Sequence, residues 1–412
     1  MNEDISEWMD RSVSRRGFLR GAGKGALALP SMAALLAACS SSGSAASSPG
    51  ASPTALPPLA HELVVAQWPL YLDRAKGGHR PTLEAFEAEY DIDVTYREII
   101  NDNQDFFAKL APQLQAHQST GWDLIALSDW VVTRLNRAGW VEPLHFDHLP
   151  NVDANLLPAF RDPAYDPGNA HSVPWQGGIT GIAYNPKQTG FQVSRFADLW
   201  DQRLAGHVGM LTEMVDTMSL TLLMLGIDPP QATVEDATRA QEKLIEQRDA
   251  GIVRKYYGQD YVDAIVSGDT WATMAWSGDI FYWKYVNGAD LEFVVPEEGG
   301  MIWVTPLEIP QGAEHPTDAH AFMDWYYRPE IAVQVTDWVL YMTPVKGVQE
   351  LMAQKAEQAR DDATKRYYQT LSQSPMLFPP DDLVSANLHQ YKALSEEEYQ
   401  TYAGLFAQVM EG

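Results

Sequence analysis

The residues best suited to chemistry lie together in Trp271-Ala-Thr-Met-Ala-Trp276-Ser-Gly-Asp279-Ile-Phe281-Tyr282-Trp283. This stretch holds five aromatic residues and Asp279, with Asp269 just ahead of it. An indole face beside a carboxylate attracts an organic cation. Positioning such a pair requires a strand followed by a sharp turn. Thr270 to Trp276 alternates as a short apolar strand does, Ser277-Gly278-Asp279 breaks it, and Phe281 to Tyr285 opens a helix. In open α/β sheets, ligands bind outside the carboxyl ends of the strands, where Trp276 would sit. The same residues also suit a core tryptophan and a helix-capping acid, so both readings stand at this point.

The chain has 412 residues, enough for two lobes, and a formal net charge of -26. That charge argues against a nucleic-acid partner, which needs a basic surface. The single cysteine, Cys39, excludes an internal disulfide and a cysteine-based zinc site.

Residues 1–39 read as an address. Ser14-Arg15-Arg16-Gly17-Phe18-Leu19-Arg20 fits the twin-arginine export pattern, and a moderately apolar run follows it. Leu36-Ala37-Ala38-Cys39 then resembles a lipoprotein cleavage site, with Cys39 the lipidated residue. The run is too short and too rich in Gly and Pro for a membrane span. Residues 40–59 form a Ser/Ala/Pro tether that cannot bury enough surface to fold.

From Ala60 strands and helices alternate, which predicts an α/β fold with a mostly parallel sheet flanked by helices in each lobe. Strands are expected at Glu62–Gln67, Ile92–Tyr96, Asp123–Leu127, Val208–Leu211, Leu291–Val295 and Trp303–Ile309. Helices are expected at Pro81–Tyr90, Asp105–Ala116, Val131–Ala138, Thr217–Leu225, Val234–Ala250 and Asp318–Tyr327. Residues 60–178 with 305–343 are assigned to the first lobe, and 179–304 with 344–412 to the second. Hinges are expected near Gly177-Gly178 and Thr305-Pro306.

Several chemistries lack their residues. Outside the address there is no Gly-Lys phosphate loop, and no G-x-S-x-G elbow occurs. His145 and His148 form a tight pair without a strong third ligand, which suits surface histidines better than a metal site. Tyr256-Tyr257 invites comparison with ferric-iron ligands, but Lys255-Tyr256-Tyr257-Gly258 reads as a helix end with a glycine cap.

An ordered set of short motifs resembles the spermidine/putrescine-binding group of extracytoplasmic solute-binding proteins of ABC importers. It runs through Trp68-Pro-Leu-Tyr71, Ser128-Asp129-Trp130, Gly139-Trp-Val-Glu-Pro-Leu144, Val173-Pro-Trp175, Gly181-Ile-Ala-Tyr-Asn185, Trp276-Ser-Gly-Asp279 and Thr343-Pro344. The resemblance implies a two-lobe periplasmic-binding-protein-like fold joined by crossing hinge strands and closing on its ligand. It implies handover to an ABC permease in the membrane, with no catalytic residue, cofactor or metal. Its aromatic cage falls on Trp68, Tyr71, Trp130, Trp276, Trp303 and Tyr341, with Ser128, Asp129, Asp279 and Thr305 completing the ligand-binding set.

The departures bear on the ligand. Met214, Thr217 and Thr305 stand where the family carries acids, and only the acid of the Trp-x-Gly-Asp motif remains, as Asp279. Asp129, Glu213 and Asp216 lie near enough in sequence to substitute. The expected ligand is a polyamine or a related amine. Two alternatives are a ferric-iron binder of the same fold, using Tyr256 and Tyr257, and a surface carbohydrate-active enzyme with paired carboxylates.

Overall fold

The computed structural model describes residues 55–411 apart from 70, 76, 101 and 102. The export motif, Cys39 and most of the tether lie outside them.

The first lobe starts from parallel pairing. Strand β1 (Glu62–Gln67) lies between β2 (Asp93–Glu98) and β3 (Leu124–Ala126). Helices α1 (Pro81–Tyr90) and α2 (Asn103–Gln115) make the crossovers, and α3 (Asp129–Ala138) follows β3. Apolar residues spaced three and four apart turn inward, as Leu83 and Phe86 do from α1 and Phe106, Phe107 and Leu110 from α2. The second lobe pairs β5 (Val208–Leu211) in parallel with β6 (Val253–Tyr257) and β7 (Ala272–Trp276). Its flanking helices include α4 (Met214–Met224) and α5 (Val234–Asp249).

Two long antiparallel strands join the halves. β4 (Ser172–Tyr184) is one continuous strand, buried along its whole length. It pairs with β9 (Gly300–Glu308), bringing Gly177 opposite Val304 and Gly178 opposite Trp303. The main sheet therefore runs β2-β1-β3-β9-β4-β7-β5-β6. The short strands β8 (Glu292–Val294) and β10 (Leu388–His389) attach to β4 and β9 respectively.

Each half has its own core. In the first, Trp175 stacks on Phe322 and on Tyr326 of α7 (Pro316–Tyr326), with ring centroids 5.7 and 3.9 Å away. The Tyr326 and Tyr327 hydroxyls donate to the Trp175 and Pro174 carbonyls, so the tyrosines are bonded as well as buried. Met210, Leu220, Met274 and Phe406 lie in the second core.

Two expectations need correcting. Residues 344–377 were assigned to the second lobe, yet Val345, Val348, Met352, Leu371 and Leu377 are buried with the first core. The chain is tied there by an antiparallel bridge from Val345 to Leu156 and by Lys346 N–H donating to Asn155 O at 2.7 Å. Only the later part, including Tyr391, Tyr402 and Val409, joins the second core, through helix α8 (Glu396–Met410). In addition, Tyr256 and Tyr257 end strand β6 and not a helix. Successive strand residues face opposite sides of a sheet, so these two side chains diverge and do not form a joint iron site.

Candidate functional site

β7 delivers Trp276 at its carboxyl end. The chain then turns into a short helix, α6 (Ser277–Phe281), with Asp279 in its first turn. Ser277 fastens this turn to the hinge, because its Oγ accepts from Ile179 N–H on β4 at 3.1 Å. Tyr261 holds both functional residues. Its hydroxyl donates to Asp279 Oδ2 at 2.9 Å and accepts from Trp276 N–H at 3.1 Å. Its ring meets the Trp276 indole edge-on, with centroids 5.6 Å apart.

Four further aromatics form one run of rings beside Asp279. Centroid separations are 6.5 Å from Trp68 to Tyr71, 6.4 Å from Tyr71 to Tyr341 and 5.3 Å from Tyr341 to Trp303. Trp68 is fixed by its Nε1 donating to Ala126 O at 3.0 Å. The Tyr341 hydroxyl bonds to Asp279, and Tyr71 to Thr305. Burial pushes both tyrosines above their usual range, and the negative charge of Asp279 pushes them further. Both hydroxyls are therefore neutral, and that of Tyr341 donates to the carboxylate.

Two glycines permit this packing. A Cβ on Gly278 would lie 2.6 Å from the Tyr341 ring, and one on Gly178 would lie 2.4 Å from Trp303 Cζ2. Neither ring could stay in place. Gly278→Ala is expected to lower stability by about 1–3 kcal/mol, the usual range for overpacking. Thermal unfolding with near-ultraviolet circular dichroism would check it, and an unchanged melting temperature would contradict the contact.

The other expected site residues sit differently. Ser128 is paired twice with Asn103, Nδ2 to Oγ and N–H to Oδ1, each at 3.0 Å. The Asp129 carboxylate accepts from its neighbour Trp130 N–H at 2.8 Å and from Val304 N–H on β9 at 3.1 Å. It is thus a tie between α3 and the hinge strand. Trp130 stacks flat on Tyr399 of α8, 5.5 Å away at 9°. Thr217 is fully buried, with its hydroxyl donating to Leu211 O at 2.8 Å. Asp216 is buried and accepts from Thr180 Oγ1, the Tyr391 hydroxyl and Trp276 Nε1. Burial raises its pKa while those three donors pull it back.

The chain matches the family of bacterial extracellular solute-binding proteins over residues 82–364. It belongs to that family.

Curated relatives agree with this placement. The solute-binding protein is 27% identical over 303 residues to the spermidine/putrescine-binding periplasmic protein 1 of Haemophilus influenzae, covering 73% of this chain and 78% of the relative. It is 26% identical over 322 residues to the putrescine-binding periplasmic protein PotF of Escherichia coli, covering 73% and 80%. Among solved structures, its fold matches the spermidine/putrescine ABC transporter substrate-binding protein PotD of Streptococcus pneumoniae. That match has a TM-score of 0.69 at 22% identity, over 84% of this chain and 98% of that one. The two-lobe periplasmic-binding-protein-like fold expected from the motifs is the fold observed. The iron-binding and carbohydrate-enzyme alternatives are not favoured.

Two other features of the solute-binding protein stand apart from the ring cluster. A cavity of about 120 Å³ is lined by Asp129 and Trp130 of the expected site residues, together with Phe160, Ile302, Val304 and Tyr391. Strand residues alternate, so this is the face of β9 opposite Trp303. His320 joins His145 and His148, with ring centroids 5.7 and 6.4 Å away. Its Nε2 accepts from His145 N–H, and its Nδ1 lies 2.7 Å from Pro316 O, so both ring nitrogens are already used. Among the described residues, no group of His, Cys, Asp or Glu is arranged to hold a metal ion.

Sequence reasoning missed Tyr261, and it named Gly178 as a hinge residue and Gly278 as part of a turn without the close ring contact each makes. Each acts on a partner whose position only the fold reveals. Trp276-Ser-Gly-Asp279 did contain Gly278, but no spacing places Tyr341 above it.

Proposed function

We propose that this protein captures a small organic amine between its two lobes and hands it to an ABC permease. The observation that carries this reading is the half-buried Asp279 carboxylate, held by the Tyr261 and Tyr341 hydroxyls, with the Trp276 ring packed on the same Tyr261 and the Tyr341 ring against Gly278. A carboxylate among aromatic faces suits an ammonium group. The named relatives bind spermidine or putrescine, which supports amine chemistry here.

The reading narrows to a ligand with one cationic nitrogen. Met214 supplies a thioether, Thr217 spends its hydroxyl on Leu211, and Thr305 pairs with Tyr71. Asp129 is committed to two backbone N–H groups. A second ammonium near Met214 and Thr217 would have to compete for Asp216 with the three donors that carboxylate already accepts, which is costly. Calorimetric titration tests this. A singly charged alkylamine such as hexylamine should bind more tightly than putrescine or spermidine. Submicromolar binding of either polyamine would overturn the one-pole reading.

The reading includes export by the twin-arginine route and anchoring through a lipid on Cys39. Arg15, Arg16 and the Leu36-Ala37-Ala38-Cys39 motif support it. Replacing both arginines by Lys should leave precursor in the cytoplasm. Cys39→Ala should shift the protein from the membrane fraction to the soluble one. Processed, membrane-bound protein from both variants would refute this part.

A further inference from the structure

Trp276 is fixed from two sides. Tyr261 holds its backbone and packs edge-on against its ring. From the other side, the indole Nε1 donates to Asp216 Oδ2 at 3.3 Å. Asp216 is 3% exposed, and its Oδ1 also accepts from Thr180 Oγ1 at 2.6 Å and from the Tyr391 hydroxyl. The three donors come from β4, the end of β7 and the segment leading into α8, so the carboxylate gathers three separate parts of the chain. Burial pushes this carboxyl above its usual range, and the three donors aimed at its two oxygens oppose that and favour the ionised form.

We propose that Asp216 is a positioning residue that sets the Trp276 indole as a cation-receiving face. It acts in two ways. The hydrogen bond to Nε1 fixes the angle of the ring, which packs on the same Tyr261 that holds Asp279. The negative charge behind the N–H also pushes electron density into the ring, and in a buried setting such polarisation is poorly screened. A ring with a more negative face holds an ammonium more strongly. Asp216 thus contributes negative charge to the site through the ring, without touching the ligand. Met214 and Thr217, on the same helix, supply none.

The ligand half of this inference rests on the amine reading, and the positioning half does not. The indole N–H resonance of Trp276 reports the hydrogen bond directly and is assigned by its loss in Trp276→Phe. In Asp216→Asn that resonance should move upfield. Hexylamine affinity should fall about tenfold, while affinity for the uncharged analogue hexanol should stay within about twofold. Tyr391→Phe removes one competing donor and leaves the carboxylate in place. Its resonance should move downfield, with hexylamine affinity kept within about threefold.

A folded Asp216→Asn with an unmoved resonance would overturn the proposal. So would equal losses for amine and alcohol, which would show general damage to the cleft. If Asp216→Asn does not fold, Tyr391→Phe decides, and an unmoved resonance there has the same consequence. If the wild-type protein binds no amine, the function proposed above fails. The direction of the two resonance shifts then settles the positioning role alone.

Discussion

Asp279→Asn is expected to weaken amine binding by about 2–5 kcal/mol, roughly 30- to 5,000-fold, as when one partner of a desolvated charge pair is removed. The reason is local. The Tyr261 hydroxyl donates to Oδ2 at 2.9 Å and the Tyr341 hydroxyl also bonds to this carboxylate. Asn keeps one acceptor oxygen and almost the same volume, so the rings should hold their places. What disappears is the charge opposite the ammonium. Because Asp279 keeps partial contact with solvent, the lower half of the range is the better expectation. Calorimetry with hexylamine on both proteins decides it. A loss below threefold, with wild type binding well, would remove Asp279 from the site.

How far the molecule was legible in its sequence depended on the range of the interaction concerned. Glu62–Gln67, Pro81–Tyr90 and Val208–Leu211 appear where alternation or helical spacing puts them, because those patterns are local. Val253–Tyr257 was missed. It is a strand only because β5 lies alongside it, and the glycine after Tyr257 imitates a helix cap. The hinge was expected near Gly177-Gly178 and Thr305-Pro306, and the resemblance implied crossing strands, but the register that pairs Ser172–Thr180 with residues 301–308 was not visible. The aromatic residues and their grouping in a cage came from the motif resemblance alone. No spacing could supply the grouping, since Trp68, Tyr71, Trp303 and Tyr341 meet across more than two hundred residues. Asp216 shows the limit most clearly. Its sequence neighbourhood offers only an acid on a helix, whereas its partners are Thr180, Trp276 and Tyr391.

Asp129 separates a structural acid from a ligand-binding one, and pH provides the test. Burial pushes its carboxyl up to about 7. The Val304 and Trp130 N–H groups pull it down by less, and the charge of Asp216 pushes it further up. In an unfolded chain the same group titrates near 4. Between those values the folded protein holds a proton that the unfolded chain has lost. The stability tied to the neutral acid is therefore fully present below about pH 4 and is lost as pH rises through about 7. Over that window the loss is on the order of 4 kcal/mol for a shift of about three units. Asp129→Asn cannot titrate, so its unfolding free energy in urea should decline less between pH 4.5 and 7.5 than that of wild type. Asp216 and Glu308 are also raised by burial, but both remain in the variant and largely cancel in the comparison. Hexylamine affinity at pH 7.5 should change less than threefold, because both carboxylate oxygens are taken by backbone N–H groups and the cavity that Asp129 lines is on the β9 face opposite Trp303. Parallel pH profiles would refute the buried proton. A large loss of amine affinity in a folded variant would return Asp129 to the ligand-binding set.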